Sequence, residues 1–227
     1  MTLLDHLATG AADLRAMSED EVADLAERLA GRPVPGVRWT ERQFADWSFG
    51  RFDAEWADGE VILMAPVSDA HDDLDTWFIT LLRTFVEARR LGVIRHNMFV
   101  RFPGQRRRRV PDLMFISEAN RGRIRRTVVE GAPDLIIEIV SPDSQNRDRR
   151  DKYLEYAEAG VREYWLIDPL SRTLDAYALR ARKYRAIRPV EGRTASKVLP
   201  GFFLRPEWLF GKTCPPVAAV QKEFGLL

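Results

Sequence analysis

The 227-residue chain has one cysteine, Cys214. That excludes an intramolecular disulfide and any zinc site built on cysteines. Histidine is nearly as scarce, with three in the chain and no His-x-x-x-His pair. Nucleophile elbow, phosphate loop and dinucleotide glycine pattern are all missing. Lysine is rare as well, five against thirty arginines, so any lysine in an unusual place carries information. No apolar run approaches the ~20 residues that cross a bilayer. The start, MTLLDHLATGAADL, lacks a basic region followed by an apolar core, so no secretory signal is expected. A cytoplasmic protein without membrane contact is the simplest expectation.

What remains is the composition of a folded globular protein, 45% hydrophobic and 30% charged, long enough for a sizeable core. There is no internal repeat and no low-complexity segment. The net charge of +1 hides an asymmetry. Residues 1–75 carry 17 acids against 6 basic side chains, while residues 95–150 carry 13 arginines against 7 acids. The clusters Arg106–Arg109, Arg121–Arg126 and Arg147–Arg150 could follow a phosphate backbone. Equally, they could be solvated loop charges, some paired with the acidic N-terminal part.

Ser18 and Glu21 form a capping-box pattern ahead of Val22, Leu25, Ala26 and Leu29 at helical spacing. RPVPG reads as a linker and Thr40 to Trp47 as a second, Thr-capped helix; both helices are expected to be peripheral. Asp58-Gly59 between two extended runs predicts a type I′ hairpin. On its first strand Glu55 shares a face with Asp53, and Phe52, Ala54 and Trp56 share the other. Ser68 or Asp69 caps a helix from about His71 to Arg90, with Leu74, Trp77, Phe78, Leu81, Leu82 and Phe85 as its apolar stripe. Ile94 to Phe102 reads as one strand, RRRR as an exposed turn, Val110 to Ser117 as a strand, and Glu118 to Glu130 as a polar connection. Pro133 to Pro169 reads as strand, turn, helix, strand. Thr173 to Leu179 and Lys183 to Ile187 form an edge hairpin, and PGFFLRPEWLF closes the far side before a polar terminus. The alternation predicts an α/β or α+β fold with a mixed sheet and flanking helices.

Two acids interrupt apolar strands. Asp112 shares its strand face with Val110, Met114 and Ile116, and Glu138 shares its face with Ile136 and Val140. An isolated charge buried there costs several kcal/mol or is neutralised. Pairing with an arginine, protonation, and a divalent cation held by both acids would each compensate it. In the helix that follows, taken to begin near Ser144, Tyr153, Leu154, Tyr156 and Ala157 make the apolar face. Lys152 falls at its edge beside Tyr156, with Arg149 on the same flank. From there the lysine stem could lie along the core and the ammonium reach the strand ends; an ordinary solvated helix lysine is the alternative. His71, just ahead of the apolar stripe, is a buried, capping or catalytic histidine.

The ordered motifs DGEVILMAPxSxxH, RVPDLMFIS and PDLIIEIVSPDSxxRDxxxKxxxYxxxGVxEYWLIDP resemble a large bacterial family of restriction-endonuclease-like proteins (Uma-type, long filed as a domain of unknown function). That family lies within the PD-(D/E)xK nuclease superfamily, and the resemblance covers roughly residues 40–210. It implies a restriction-endonuclease-like mixed central sheet flanked by helices, Mg²⁺ or Mn²⁺ as cofactor, DNA as substrate, and a homodimer in some relatives. It also implies Asp112 and Glu138 as metal ligands with the Ile139 carbonyl as a third, and Glu55 lining the same site. The superfamily lysine would fall two positions after Glu138, where this chain has Val140; a lysine from the following helix, Lys152, looks like its replacement. The implied organisation is an N-terminal helical appendage and linker (1–36), a nuclease-like domain (37–212) and a C-terminal tail (213–227). The implied activity is metal-dependent hydrolysis of DNA phosphodiester bonds. A non-catalytic nucleic-acid- or protein-binding module on the same scaffold is the competing expectation. A third is a purely structural acid pair neutralised by arginines.

Overall fold

The computed structural model describes residues 13–48, 53–65, 68–141 and 147–227. In chain order the elements are α1 (Glu19–Leu29), β1 (Pro33–Arg38), α2 (Glu41–Trp47), β2 (Ala54–Ala57), β3 (Glu60–Leu63) and α3 (Asp69–Ala88). There follow β4 (Gly92–Arg95), β5 (Phe99–Arg101), β6 (Arg107–Arg109), β7 (Leu113–Ser117), β8 (Val128–Glu130) and β9 (Leu135–Ile139). The chain ends with α4 (Tyr153–Ala159), β10 (Glu163–Asp168), β11 (Thr173–Arg180), β12 (Lys183–Ala186), β13 (Thr194–Ala195), β14 (Phe203–Leu204), α5 (Pro206–Leu209) and α6 (Val217–Glu223).

The large strands form two six-stranded sheets, β1-β3-β2-β6-β5-β8 and β12-β11-β10-β9-β7-β4, both mixed in direction. The alternation of each strand divides its residues between cores. Ala54, Trp56, Val61 and Leu63 face α1 and α2, together with Val22, Leu25, Leu29 and Phe44. Leu113, Phe115, Leu135, Ile137 and Ile139 face α3 and the C-terminal helices, whose Val220 and Phe224 join that core. The inner faces of the two sheets meet in a third core containing Val100, Phe102, Met114, Ile136, Val140, Tyr156 and Tyr164. Glu55, Arg109 and Glu138 belong to the inner faces by parity.

Local chemistry accounts for the regular elements. Ser18 and Glu21 make the expected capping box, and Thr40 with Gln43 makes another. The Ser68 side chain accepts from the His71 N–H and starts α3. All six residues of its anticipated stripe are buried. The type I′ turn is present, with φ of 50° at Asp58 and 95° at Gly59. β11 and β12 form the edge hairpin of the second sheet.

Several expectations are corrected. RPVPG is not a linker: β1 pairs antiparallel with β3. RRRR is not an exposed turn either, because β6 is an interior strand between β2 and β5. Ile94 to Phe102 is two strands in different sheets, and the chain crosses between them where Asn97 takes a φ of 45°. The strand expected from Val110 begins only at Leu113, because Val110-Pro111-Asp112 carries the chain from β6 in one sheet to β7 in the other. Within the polar connection, a 3-10 turn over Glu118–Arg123 precedes β8. The start expected for the α4 segment near Ser144 lies outside the described residues. From Arg147 to Lys152 the chain makes a wide π-type turn that leads into α4.

Candidate active site

The site grows from two crossovers and a short helix. β7 and β9 pair antiparallel, Leu113 opposite Ile137 and Met114 opposite Ile136. Extending that register by one residue sets Asp112 opposite Glu138, so both carboxylates project from one face of adjacent strands. Asp112, just before β7, keeps 25% of its side chain exposed, whereas Glu138 is buried. The Asp112 Oδ2 accepts the Ile139 N–H at 2.6 Å. His71, from the first turn of α3, places Nε2 3.9 Å from Asp112 Oδ1.

The other sheet supplies Glu55. Trp56 pairs with Arg108, and the same register sets Glu55 opposite Arg109 on the inner face. Glu55 Oε2 accepts from Arg109 Nη1 at 2.9 Å, and Oε1 accepts the Val110 N–H at 3.2 Å. Ala54 and Trp56 lie in the opposite core, as the alternation requires.

Lys152 joins the sheets. Its side chain is only 3% exposed, with Nζ 3.0 Å from Glu138 Oε1 and 3.3 Å from Glu55 Oε1. It is therefore no solvated helix lysine; its stem lies in the core and its ammonium lies between two carboxylates. Tyr156, one turn later, donates its hydroxyl to Glu138 Oε1 at 2.7 Å. Burial and the neighbouring Glu138 and Glu55 hold the Tyr156 hydroxyl far above the ordinary phenol range, so it stays a proton donor. The apolar face of α4 is narrower than expected: Tyr156 and Ala157 are buried, but Leu154 is 60% exposed. Arg149 reaches elsewhere, pairing with Asp168 and Asp175 on β10 and β11.

Sequence reasoning missed Glu155 of α4 and, with it, Arg109. Arg109 is buried at 3% exposure and also makes two bonds to Glu155, Nε to Oε2 at 2.9 Å and Nη2 to Oε1 at 2.7 Å. Burial works against its charge, but Glu55 and Glu155 more than offset that and raise its pKa. Nothing in RRRRVPD distinguishes Arg109 from its neighbours, since the partners are 54 and 46 positions away. Within the Arg106–Arg109 run the charges are largely paired: Arg107 with Asp58 and Glu155, and Arg108, like Arg101, with Glu41. Asp58 and Glu41 belong to the acidic N-terminal part, whereas Arg106, Arg121, Arg125, Arg126 and Arg150 are exposed.

The compensation of Glu138 is therefore a lysine and a tyrosine, with no arginine bonded to it among the described contacts. Among the described contacts, Glu55, Asp112, Glu138 and Glu155 stand against Arg109 and Lys152, an excess of two negative charges; adding the outward-bridging pair Arg107 and Asp58 leaves that excess unchanged. Among the described residues no group of three or more His, Cys, Asp or Glu side chains converges as a metal cage. Two carboxylates on adjacent strands nevertheless suit a hard cation such as Mg²⁺, which commonly takes one or two carboxylates and completes its shell with water and phosphate. The donor chemistry fits.

A crystal structure of "a putative nuclease belonging to DUF820" from Anabaena variabilis ATCC 29413 resembles this fold with a TM-score of 0.60 at 20% identity, over 69% of this chain and 89% of that one. No curated protein matches the chain. The family described as "Uma2: Putative restriction endonuclease" matches residues 42–207, which include Glu55, Asp112, Glu138 and Lys152. The chain belongs to that family.

Proposed function

We propose that this protein is a divalent-metal-dependent endonuclease that hydrolyses phosphodiester bonds of DNA. The observation that carries the reading is the buried Lys152 ammonium between Glu138 and Glu55, beside an Asp112 that faces Glu138 across the strand pair. Family membership supports a nuclease; the ion and the substrate are our inference.

Asp112 and Glu138 would hold Mg²⁺ or Mn²⁺, with the Ile139 carbonyl as a further ligand. Such an ion polarises a phosphodiester oxygen and lowers the pKa of bound water. Lys152 brings positive charge to the same place and stabilises negative charge that develops on the phosphate. Glu55 orients that ammonium from the opposite sheet, and Tyr156 fixes the Glu138 carboxylate. Residues 37–212 would form the nuclease-like domain, flanked by residues 1–36 and 213–227. No helix among the described residues is long and apolar enough to cross a membrane; we place the protein in the cytoplasm with DNA as its partner.

The test is supercoiled plasmid incubated with protein and Mg²⁺, Mn²⁺ or EDTA, beside Asp112→Asn, Glu138→Gln and Lys152→Met. Metal-dependent nicking by the parent is expected, with a loss of about a hundredfold or more in each variant. Nicking that persists in EDTA, or at parental rate in the Asp112→Asn/Glu138→Gln protein, would refute the proposal.

A further inference from the structure

We infer that Arg109, with Glu155, is a positioning clamp that sets Lys152 in register with the two sheets; the inference rests on the nuclease reading above.

Little else holds the helix. α4 has seven residues, too few to persist alone, and Leu154 points outward, which leaves it a small apolar grip. Its N-terminal side is a π-type turn that ends at Lys152 itself. Wide turns of this kind recur at functional sites. So short a helical segment leaves much of the definition of the lysine's place to contacts from outside the helix.

Glu155 makes such contacts from one turn beyond Lys152. Its carboxylate receives Arg107 Nε at 2.6 Å as well as the two Arg109 bonds, so two neighbouring β6 residues grip one helical side chain. Arg109 at the same time holds Glu55, and Glu55 holds Lys152. The loop Lys152, Glu55, Arg109, Glu155 and back through one turn of helix is closed. A guanidinium can serve both carboxylates at once because its donors form a rigid planar fork; an ammonium offers one point charge. Shifting α4 therefore requires breaking several charge-assisted bonds at once. In catalysis, an error of 1 Å in such a group can cost about a hundredfold.

Arg109→Met would strand two buried carboxylates and is expected to fold poorly, so the informative variant is Glu155→Gln. It keeps an acceptor for one guanidinium N–H, removes the charge, and touches neither the metal ligands nor Lys152. The first readout is backbone hydrogen exchange, which does not depend on activity. Exchange across residues 147–159 should rise about tenfold while α3 is unchanged. The second is nicking: kcat should fall about tenfold or more with KM within about threefold, because DNA binding does not use Glu155. Glu155→Asp, which restores the charge, should recover part of both. Parental exchange in Glu155→Gln would overturn the clamp. Raised exchange with an unchanged kcat, or a loss confined to KM, would overturn its positioning role. If the parent cuts no DNA with any metal, the nuclease reading fails and the positioning role with it, while the exchange arm still decides whether the clamp exists.

Discussion

Asp75 lies on the boundary between the buried and exposed faces of α3, with a buried Oδ1 that finds no hydrogen-bond partner among the described residues. Desolvation, and secondarily the charge of Asp72, raises its pKa from 3.8 to about 6. The folded chain thus retains a proton between about pH 4 and pH 6 that the unfolded chain releases. Stability from this group is present below the unfolded pKa and is lost as pH rises through the folded one. Asp75→Asn should stabilise the protein at pH 7 by about 1 kcal/mol, after discounting for partial exposure, or about 2–4 °C in Tm, with little effect near pH 4. Melting at both pH values checks it; an equal shift at both would sink the assignment. At this scale the sequence was informative about acids and uninformative about their partners. Asp112 and Glu138 stand out because each interrupts an apolar run. Arg109, Glu155 and Tyr156 do not, because their environment comes from strands and helices distant in the chain.

Among the elements, α3 was legible almost completely: its twenty residues repeat an apolar stripe many times and Ser68 caps it. The strands were legible as apolar runs but not in their ends, since periodicity does not record where a chain changes sheets. Ile94 to Phe102 and Val110 to Ser117 both contain such a change. α4 was the least legible, because pairing with residues on both sheets buries Lys152 and Glu155 while Leu154 remains exposed. β4 offers a direct test of the sheet carrying Asp112. Gly92 has a φ of 153°, and a Cβ there would come within 2.1 Å of the Ile116 carbonyl oxygen. Gly92→Ala should cost about 2–4 kcal/mol and lower Tm by roughly 5 °C or more. A parental melting curve would show that β4 does not approach β7 this closely.

For the molecule as a whole, the N-terminal segment is built into a core. Leu14, Val22, Leu25, Leu29 and Val34 are all buried under the first sheet, and β1 forms its edge. A fully buried aliphatic side chain is worth about 1.5–3 kcal/mol, and a domain has only about 5–15 kcal/mol in total. Deleting residues 1–36 should therefore yield aggregated protein or a strongly lowered melting temperature, checked by gel filtration and calorimetry. A soluble fragment melting like the parent would restore the view of this segment as a detachable appendage.

The sequence by itself determined the class of fold, the caps and turn, the long helix, and the pair of acids that demand compensation, because each follows from spacing between near neighbours. The tertiary structure alone decided that there are two facing sheets, that the arginine run is an interior strand, and that Lys152 is buried between Glu55 and Glu138. Those outcomes depend on strand register and on charges brought together from 14 to 97 positions apart, where local periodicity carries no signal.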